Sequence, residues 1–292
     1  MEMDAGALQR RLRLGDGFHG SNRHDGLKYS ARIVSPLYAA VLEFSRAQLA
    51  MSSTRPVVIG VQGPQGSGKT TLTRAMVESL SRQFGNRPLS VSIDDFYMTR
   101  AGQLEVSAAH PGNPYLEHRG YPGTHDIALG AETLGRLKAG TATEIPVYDK
   151  SAHGGRGDRA PRDQWRAITG PIDIVFVEGW MLGFEPVADS AIADPQLRIA
   201  NSYLADYASW HSSIDAWVVL KALDPAYVLT WRVEAEEKMK ASGKPGLSRA
   251  DIEDYIRRFL PAYKTWGGAP ANVPAARKLE LNINLQRELM QP

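Results

Sequence analysis

The run Gly63-Pro64-Gln65-Gly66-Ser67-Gly68-Lys69-Thr70 fits the pattern G-x-x-x-x-G-K-[ST], and a second threonine, Thr71, follows it. Glycines at this spacing let the backbone turn tightly with its N–H groups aimed inward. A lysine in the place of Lys69 reaches β- and γ-phosphates, and a hydroxyl in the place of Thr70 can ligate Mg²⁺. These nine residues, Gly63 to Thr71, are therefore a candidate cradle for the phosphates of a nucleotide.

Three carboxylates stand where such a cradle would use them. Asp94 and Asp95 follow the alternating stretch Leu89 to Ile93, and Glu178 ends the apolar run Ile172-Asp173-Ile174-Val175-Phe176-Val177. In open α/β sheets the carboxyl ends of strands face the ligand crevice. An aspartate there can act as general base for a hydroxyl attacking the γ-phosphate, or organise Mg²⁺. Successive strand side chains point to opposite faces, so Asp94 and Asp95 should not share one role if the strand persists that far. Glu178, at the end of a strand buried on both faces, is expected to hold or orient the Mg²⁺ shell.

The elements that must position these groups are written around them. Val57, Val58, Ile59 and Val61 predict a strand before the loop, and Thr71 to Phe84 predicts a helix with Leu72, Ala75, Met76 and Leu80 on its buried side. The helix N-terminus then points its partial positive charge at the phosphates. An N-terminal helix over 35–50 begins with Ser35 as N-cap and Pro36 in the first turn, with Leu37, Val41 and Phe44 along one face. Residues 1–34, with Arg10, Arg11 and Arg13, read as a peripheral arm.

Two insertions are rich in turn residues. Segment 99–126 contains Pro111, Gly112, Pro114 and Gly120, which predicts no long regular element before Asp126. Asp126 is suited either to capping a helix through Lys138 or to contacting a substrate. Segment 141–170 is too polar for a core strand, and long loops in compact domains are often lids or binding surfaces. Farther on, Tyr203, Tyr207, Trp210 and His211 form an aromatic stripe, and Ile214 to Lys221 predicts a strand. A helix from Asp224-Pro225 carries Val228, Trp231, Ala235 and Met239 on one face, and Gly243, Pro245 and Gly246 stop it. Ser248 with Asp251 forms a capping box for a helix with Ile252, Tyr255, Ile256 and Phe259 buried, ending before Pro261. Leu279 to Leu285 is the last expected strand.

The chain has 292 residues, 43% hydrophobic and 23% charged, enough for a sizeable core, and residues 35–292 are expected to form one domain. A net charge of +2 argues for neither a nucleic-acid nor a membrane partner. With no cysteine, disulfides and thiolate metal sites are excluded. No apolar run approaches a membrane span and no hydrophobic leader is evident, so the expected location is the cytoplasm, as a monomer or homodimer.

Taken together, Ser92-Ile93-Asp94-Asp95-Phe96-Tyr97, His118-Arg119-Gly120-Tyr121-Pro122-Gly123-Thr124-His125-Asp126, Tyr148-Asp149-Lys150-Ser151, Gly157-Asp158-Arg159 and Val177-Glu178-Gly179-Trp180 resemble the plant and fungal type of D-glycerate 3-kinase. That family is a branch of the phosphoribulokinase, uridine kinase and pantothenate kinase group. The likeness extends from about Val57 to Lys264, including Trp231-Arg232 and Phe259-Leu260-Pro261-Ala262-Tyr263-Lys264. Residues 1–34 and the tail after Leu285 match poorly.

The resemblance implies an α/β, three-layer P-loop NTPase fold with a parallel sheet in the order 2-3-1-4-5. It implies ATP and Mg²⁺ as cofactors and a small hydroxy acid, D-glycerate, as acceptor. Asp94 becomes the base, with Lys69 at the phosphates and Thr70 with Glu178 at the metal. The acceptor wall takes in Asp95, Tyr97, Arg119, His125, Asp126, Lys150 and Arg159, and Arg232 belongs to a helical lid over 225–260. Two other readings are a kinase of this architecture for a nucleoside, pantothenate or sugar phosphate, and a non-catalytic nucleotide-binding protein. The chain carries no Asn-Lys-x-Asp motif of a GTPase and no Leu-Ser-Gly-Gly signature of a transporter ATPase.

Overall fold

The computed structural model describes residues 35–241, 249–267 and 269–290. The expected arm over 1–34, the stop at Gly243, Pro245 and Gly246, and the cap at Ser248 lie outside them.

Five strands build the central sheet: β1 (Val57–Gln62), β2 (Pro88–Ser92), β3 (Ile174–Gly179), β4 (Ala216–Ala222) and β5 (Lys278–Ile283). They lie in the order β2-β3-β1-β4-β5 and every neighbouring pair is parallel. The central strands β1 and β3 are buried along their whole length, which is why both read as almost continuous apolar runs.

Alternation along the strands divides the core in two. Val57, Ile59 and Val61 join Ile174, Phe176, Val218 and Leu220 on one face. Helices α1 (Pro36–Met51) and α2 (Lys69–Phe84) cover that face, together with α5 (Tyr227–Ala241) and α6 (Arg249–Thr265). Val58, Val91, Val175, Val177 and Trp217 point the other way, beneath α4 (Ile127–Lys138) and the aromatic residues Trp180, Phe184, Tyr207 and Trp210. The result is a three-layer α/β sandwich. Leu72, Met76 and Leu80, each at most 1% exposed, fasten α2 to the sheet, and burial of such a side chain is worth roughly 1.5–3 kcal/mol.

Several local expectations give way to tertiary structure. Ser35 occupies the N-cap of α1, yet its side chain makes no capping bond; its backbone carbonyl accepts from Tyr38 and Ala39 instead. Segment 99–126 does contain a regular element, α3 (Arg100–Ala109), because its prolines begin only at Pro111 and Thr99 Oγ1 caps the helix by accepting from Gly102 N at 3.2 Å. Among the described side chains of α5 the buried ones are Val228, Trp231 and Glu236, whereas Ala235 is exposed, and the expected burial of Met239 lies outside them. Arg232 bonds Glu236 one turn away and supplies the charge that a buried carboxylate requires. Helix α6 runs through Pro261 to Thr265, held on both sides of the proline by buried Phe259 and Ala262.

The insertion 141–170 stays outside the central sheet as two antiparallel ribbons, Thr143–Ile145 with Arg166–Ile168 and Tyr148–Asp149 with Asp158–Arg159. Among the described residues no helix is long and apolar enough to cross a membrane.

Candidate active site

The loop from Gly63 to Gly68 joins β1 to the first turn of α2, so the positive end of that helix faces the crevice above the sheet. Gly66 has φ +79°, and a Cβ there would lie 2.5 Å from Trp231 Cβ; conformation and space both demand glycine. Lys69 folds back over the loop, Nζ donating to Gly63 O at 2.9 Å and Pro64 O at 3.0 Å. Burial lowers its pKa, while Glu178 and Asp94 pull the other way. Lys69 is thus a desolvated side chain whose Nζ rests on two backbone carbonyls of the loop.

The register of β1 on β3 pairs Val61 with Glu178, which brings that carboxylate beside the start of α2. Thr70 Oγ1 donates to Glu178 Oε1 at 2.7 Å. A hydroxyl and a carboxylate in contact at the phosphate cradle suit Mg²⁺, which takes one or two protein oxygens and completes its shell with water and phosphate oxygens. The residues present therefore fit the ion.

Asp94 and Asp95 are aimed by a turn rather than by strand pleat. β2 ends at Ser92, a 3₁₀ turn spans Ile93–Phe96, and Ser92 Oγ accepts from Asp94 N. Burial pushes the Asp94 carboxyl up, but the Lys150 ammonium, its hydrogen bond, His125 and Lys69 together hold it below the usual value. Asp95 goes the opposite way. Burial raises it more than the Arg166 guanidinium, 3.9 Å away, and the Tyr148 N–H lower it. Asp94 therefore belongs to the Lys69 side of the crevice, and Asp95 to the ribbon of the second insertion.

The expected acceptor residues fall into two groups. Arg119 gathers the loop that carries Lys150: its guanidinium donates to Gly155 O at 3.0 Å, to Arg156 O and to Lys150 O at 3.4 Å, and lies 5.4 Å from the Tyr148 ring centre. Lys150 in turn reaches Asp94. Arg159 donates to Tyr97 O at 2.9 Å and to Asp126 Oδ2 at 3.1 Å, while Asp126 Oδ1 caps α4 by accepting from Leu129 N. Asp126 thus caps the helix and pairs an arginine at once. His125, Asp126 and Arg159 border a cavity of about 410 Å³ with Met98, Thr99 and Ile127; Asp94, Lys69 and Lys150 are not on its wall.

Tyr97 is packing beneath the site, 5% exposed, with its ring stacked on His125 at 4.3 Å. His125 is 1% exposed; Nδ1 shares a hydrogen bond with Tyr207 Oη at 2.7 Å, and Nε2 has no partner among the described residues. Burial lowers its pKa to about 4 against the opposing pull of Asp94, so its ring is neutral at pH 7. Arg232 stays on α5, bonded to Glu236.

Two contacts on the phosphate loop come from residues that sequence reasoning did not assign to it. Tyr263 Oη accepts from Gln65 N at 3.0 Å, and Arg287 Nε donates to Gly66 O at 2.7 Å. Tyr263 stands inside the Phe259 to Lys264 run that carried the family resemblance, a usable signal. Arg287 sits in the poorly matching tail and had none.

Comparison with known proteins gives the chain its family. Residues 58–194 match the Phosphoribulokinase / Uridine kinase family. A chloroplastic D-glycerate 3-kinase of Arabidopsis thaliana is 42% identical over 244 residues, 80% of this chain and 53% of that protein, so the match spans about half of the relative's length. An uncharacterized kinase of Schizosaccharomyces pombe is 37% identical over 75% of this chain and 83% of its own length. The solved D-glycerate 3-kinase of Cryptococcus neoformans superposes with a TM-score of 0.79 at 31% identity, covering 87% of this chain and 98% of that one.

Proposed function

The chain belongs to the phosphoribulokinase/uridine kinase family, and within it we propose an ATP-dependent kinase that phosphorylates D-glycerate on its 3-hydroxyl. One observation carries the reading: Lys69, the Thr70–Glu178 pair and Asp94 converge above the carboxyl ends of β1, β2 and β3, with Lys150 on Asp94. The names of the Arabidopsis and Cryptococcus relatives support the acceptor.

In this reaction the 3-hydroxyl oxygen attacks the γ-phosphorus, the bond from that phosphorus to the bridging oxygen of ADP breaks, and the hydroxyl proton passes to a carboxylate oxygen of Asp94. Backbone N–H groups of the loop from Gln65 to Thr71 hold the phosphates, and Lys69 leaves its two carbonyls to follow charge onto the transferring group. Thr70 and Glu178 would hold Mg²⁺, and the ion would supply positive charge against the negative charge that develops on the phosphates. On binding, the acceptor displaces Lys150 from Asp94 and takes over its ammonium as partner for the carboxylate. Arg119 acts on the acceptor through the Lys150 loop, while Arg159 and Asp126 shape the wall around His125.

A neutral acceptor is disfavoured by this arrangement, because Lys150 would have no anion to exchange for Asp94. We place the reaction in the cytoplasm, with the chain as monomer or homodimer; cell fractionation and light scattering test both. The acceptor is tested by ADP release against a panel of hydroxy acids, nucleosides and pantothenate, with ³¹P NMR of the product. D-Glycerate giving 3-phosphoglycerate is expected, and a higher kcat/KM for a nucleoside or pantothenate overturns the assignment.

A further inference from the structure

Arg287 is a non-glycine residue held at φ +65°, a left-handed conformation that costs free energy and persists only where the surroundings impose it. The turn after β5 imposes it here. Asn284 N donates to Glu288 O at 3.0 Å, Asn284 Oδ1 accepts from Glu288 N at 2.9 Å, and Arg287 N donates to Asn284 O at 2.9 Å. This hook delivers the guanidinium to three places. Nε donates to Gly66 O at 2.7 Å, Nη2 donates to Glu234 Oε2 of α5 at 2.8 Å, and the group lies 5.2 Å from the Trp231 ring centre. Trp231 is itself tied to the hook, Nε1 donating to Leu285 O at 2.6 Å.

Gly66 is thereby held against Trp231, where a Cβ would lie 2.5 Å from Trp231 Cβ, and is bonded through its carbonyl to Arg287. Across a planar trans peptide the C=O and the following N–H point in opposite directions. Fastening Gly66 O outward to Arg287 therefore turns Ser67 N–H into the loop, where it meets Pro64 O at 3.2 Å. The phosphate loop is thus not shaped by its own glycines alone; a residue more than two hundred positions later, bonded to the same helix that carries Arg232, sets one of its peptide planes.

We infer that Arg287 is a positioning residue for the nucleotide: it pre-sets the phosphate loop through Gly66 and couples it to α5 through Glu234. The inference rests on the kinase reading. It requires that Arg287 affect nucleotide affinity and leave acceptor affinity alone, a split that a purely structural role would not produce.

The test is direct ADP binding by calorimetry with wild type, Arg287→Ala, Arg287→Gly and Glu234→Ala, alongside KM for ATP and D-glycerate and thermal melting. Arg287→Gly keeps the left-handed turn without strain and removes only the guanidinium, so it remains informative if the alanine variant folds poorly. Both Arg287 variants are expected to weaken ADP by about tenfold, the 1.4 kcal/mol scale of one charge-assisted hydrogen bond, with the KM for D-glycerate within twofold of wild type. Glu234→Ala is expected to show a smaller loss of the same sign. Unchanged ADP affinity in Arg287→Gly overturns the inference, as does an equal rise in both KM values. Wild type that binds no ADP overturns the kinase reading itself.

Discussion

Lys150 Nζ lies 2.5 Å from Asp94 Oδ2, with the lysine side chain 58% and the aspartate 27% exposed. A surface-accessible cation thus covers the proposed base and keeps it ionised. Removing Lys150 removes the largest of the influences that lower the Asp94 pKa. Lys150→Ala is therefore expected to move the acid limb of the kcat/KM profile for D-glycerate to higher pH. A limb that stays in place in this variant shows that another group titrates.

Asp94 should be separable from its neighbour. Asp94→Asn is expected to lower kcat by roughly 10² to 10⁴ while ADP affinity is preserved, the range for loss of a positioned base. Asp95→Asn, whose carboxylate faces Arg166 and the Tyr148 N–H, is expected to retain most of the turnover. If Asp95→Asn is the inactive protein, the roles are reversed.

Arg119 and Arg159 are predicted to govern the acceptor rather than ATP. Arg119→Ala releases the carbonyls of Lys150, Gly155 and Arg156, and Arg159→Ala removes the guanidinium from Asp126 Oδ2 and Tyr97 O. Each is expected to raise the KM for D-glycerate with little change in that for ATP. A loss on the order of 1.5 to 3 kcal/mol is expected for bonds of this kind. Steady-state kinetics at saturating co-substrate decides it, and parallel rises in both KM values count against it.

Two buried histidines give the fold an acid limit. Burial lowers both His125 and His211 to about 4, and His211 Nε2 accepts from Gly183 N at 2.9 Å, a bond available only to an unprotonated nitrogen. Unfolded histidine takes up its proton near pH 6.5, so the unfolded state binds more protons as pH falls below that value. The contribution is whole above about pH 6.5 and lost on approach to pH 4, roughly 3 kcal/mol for each residue. Melting measured from pH 7.5 to 4.5 should show a steep fall that His211→Gln makes shallower; a flat profile in wild type contradicts the assignment.

What the sequence could disclose about this molecule follows from the range of the forces involved. The phosphate loop, β1, β3 and α2 were readable because glycine spacing, apolar continuity and helical periodicity are local signals. The direction of Asp94 was not, because the strand ends at Ser92 and a 3₁₀ turn sets both carboxylates. Glu236 is a charged residue that is only 2% exposed, and its burial depends on Arg232 beside it, a pairing that hydrophobic periodicity does not signal. α3 is hard to read because Pro111 and Gly112 follow it closely, while its start is marked only by the Thr99 cap. Arg287 on Gly66 is beyond local inference altogether, since the two meet only when the sheet is complete.

The strand order carries a consequence for synthesis. β1 lies in the middle of the sheet, and both its neighbours, β3 and β4, are made much later in the chain. A nascent chain that has released β1 and α2 from the ribosome therefore holds two apolar strand edges with nothing to pair them, and no hairpin within the central sheet can shield them in the interval. Topologies dominated by distant contacts fold slowly and expose such surfaces while they wait. Slowing translation between β1 and β3 should lengthen the dependence on holdase chaperones, and the phosphate loop gains its bond from Arg287 only after β5 and its hook have docked.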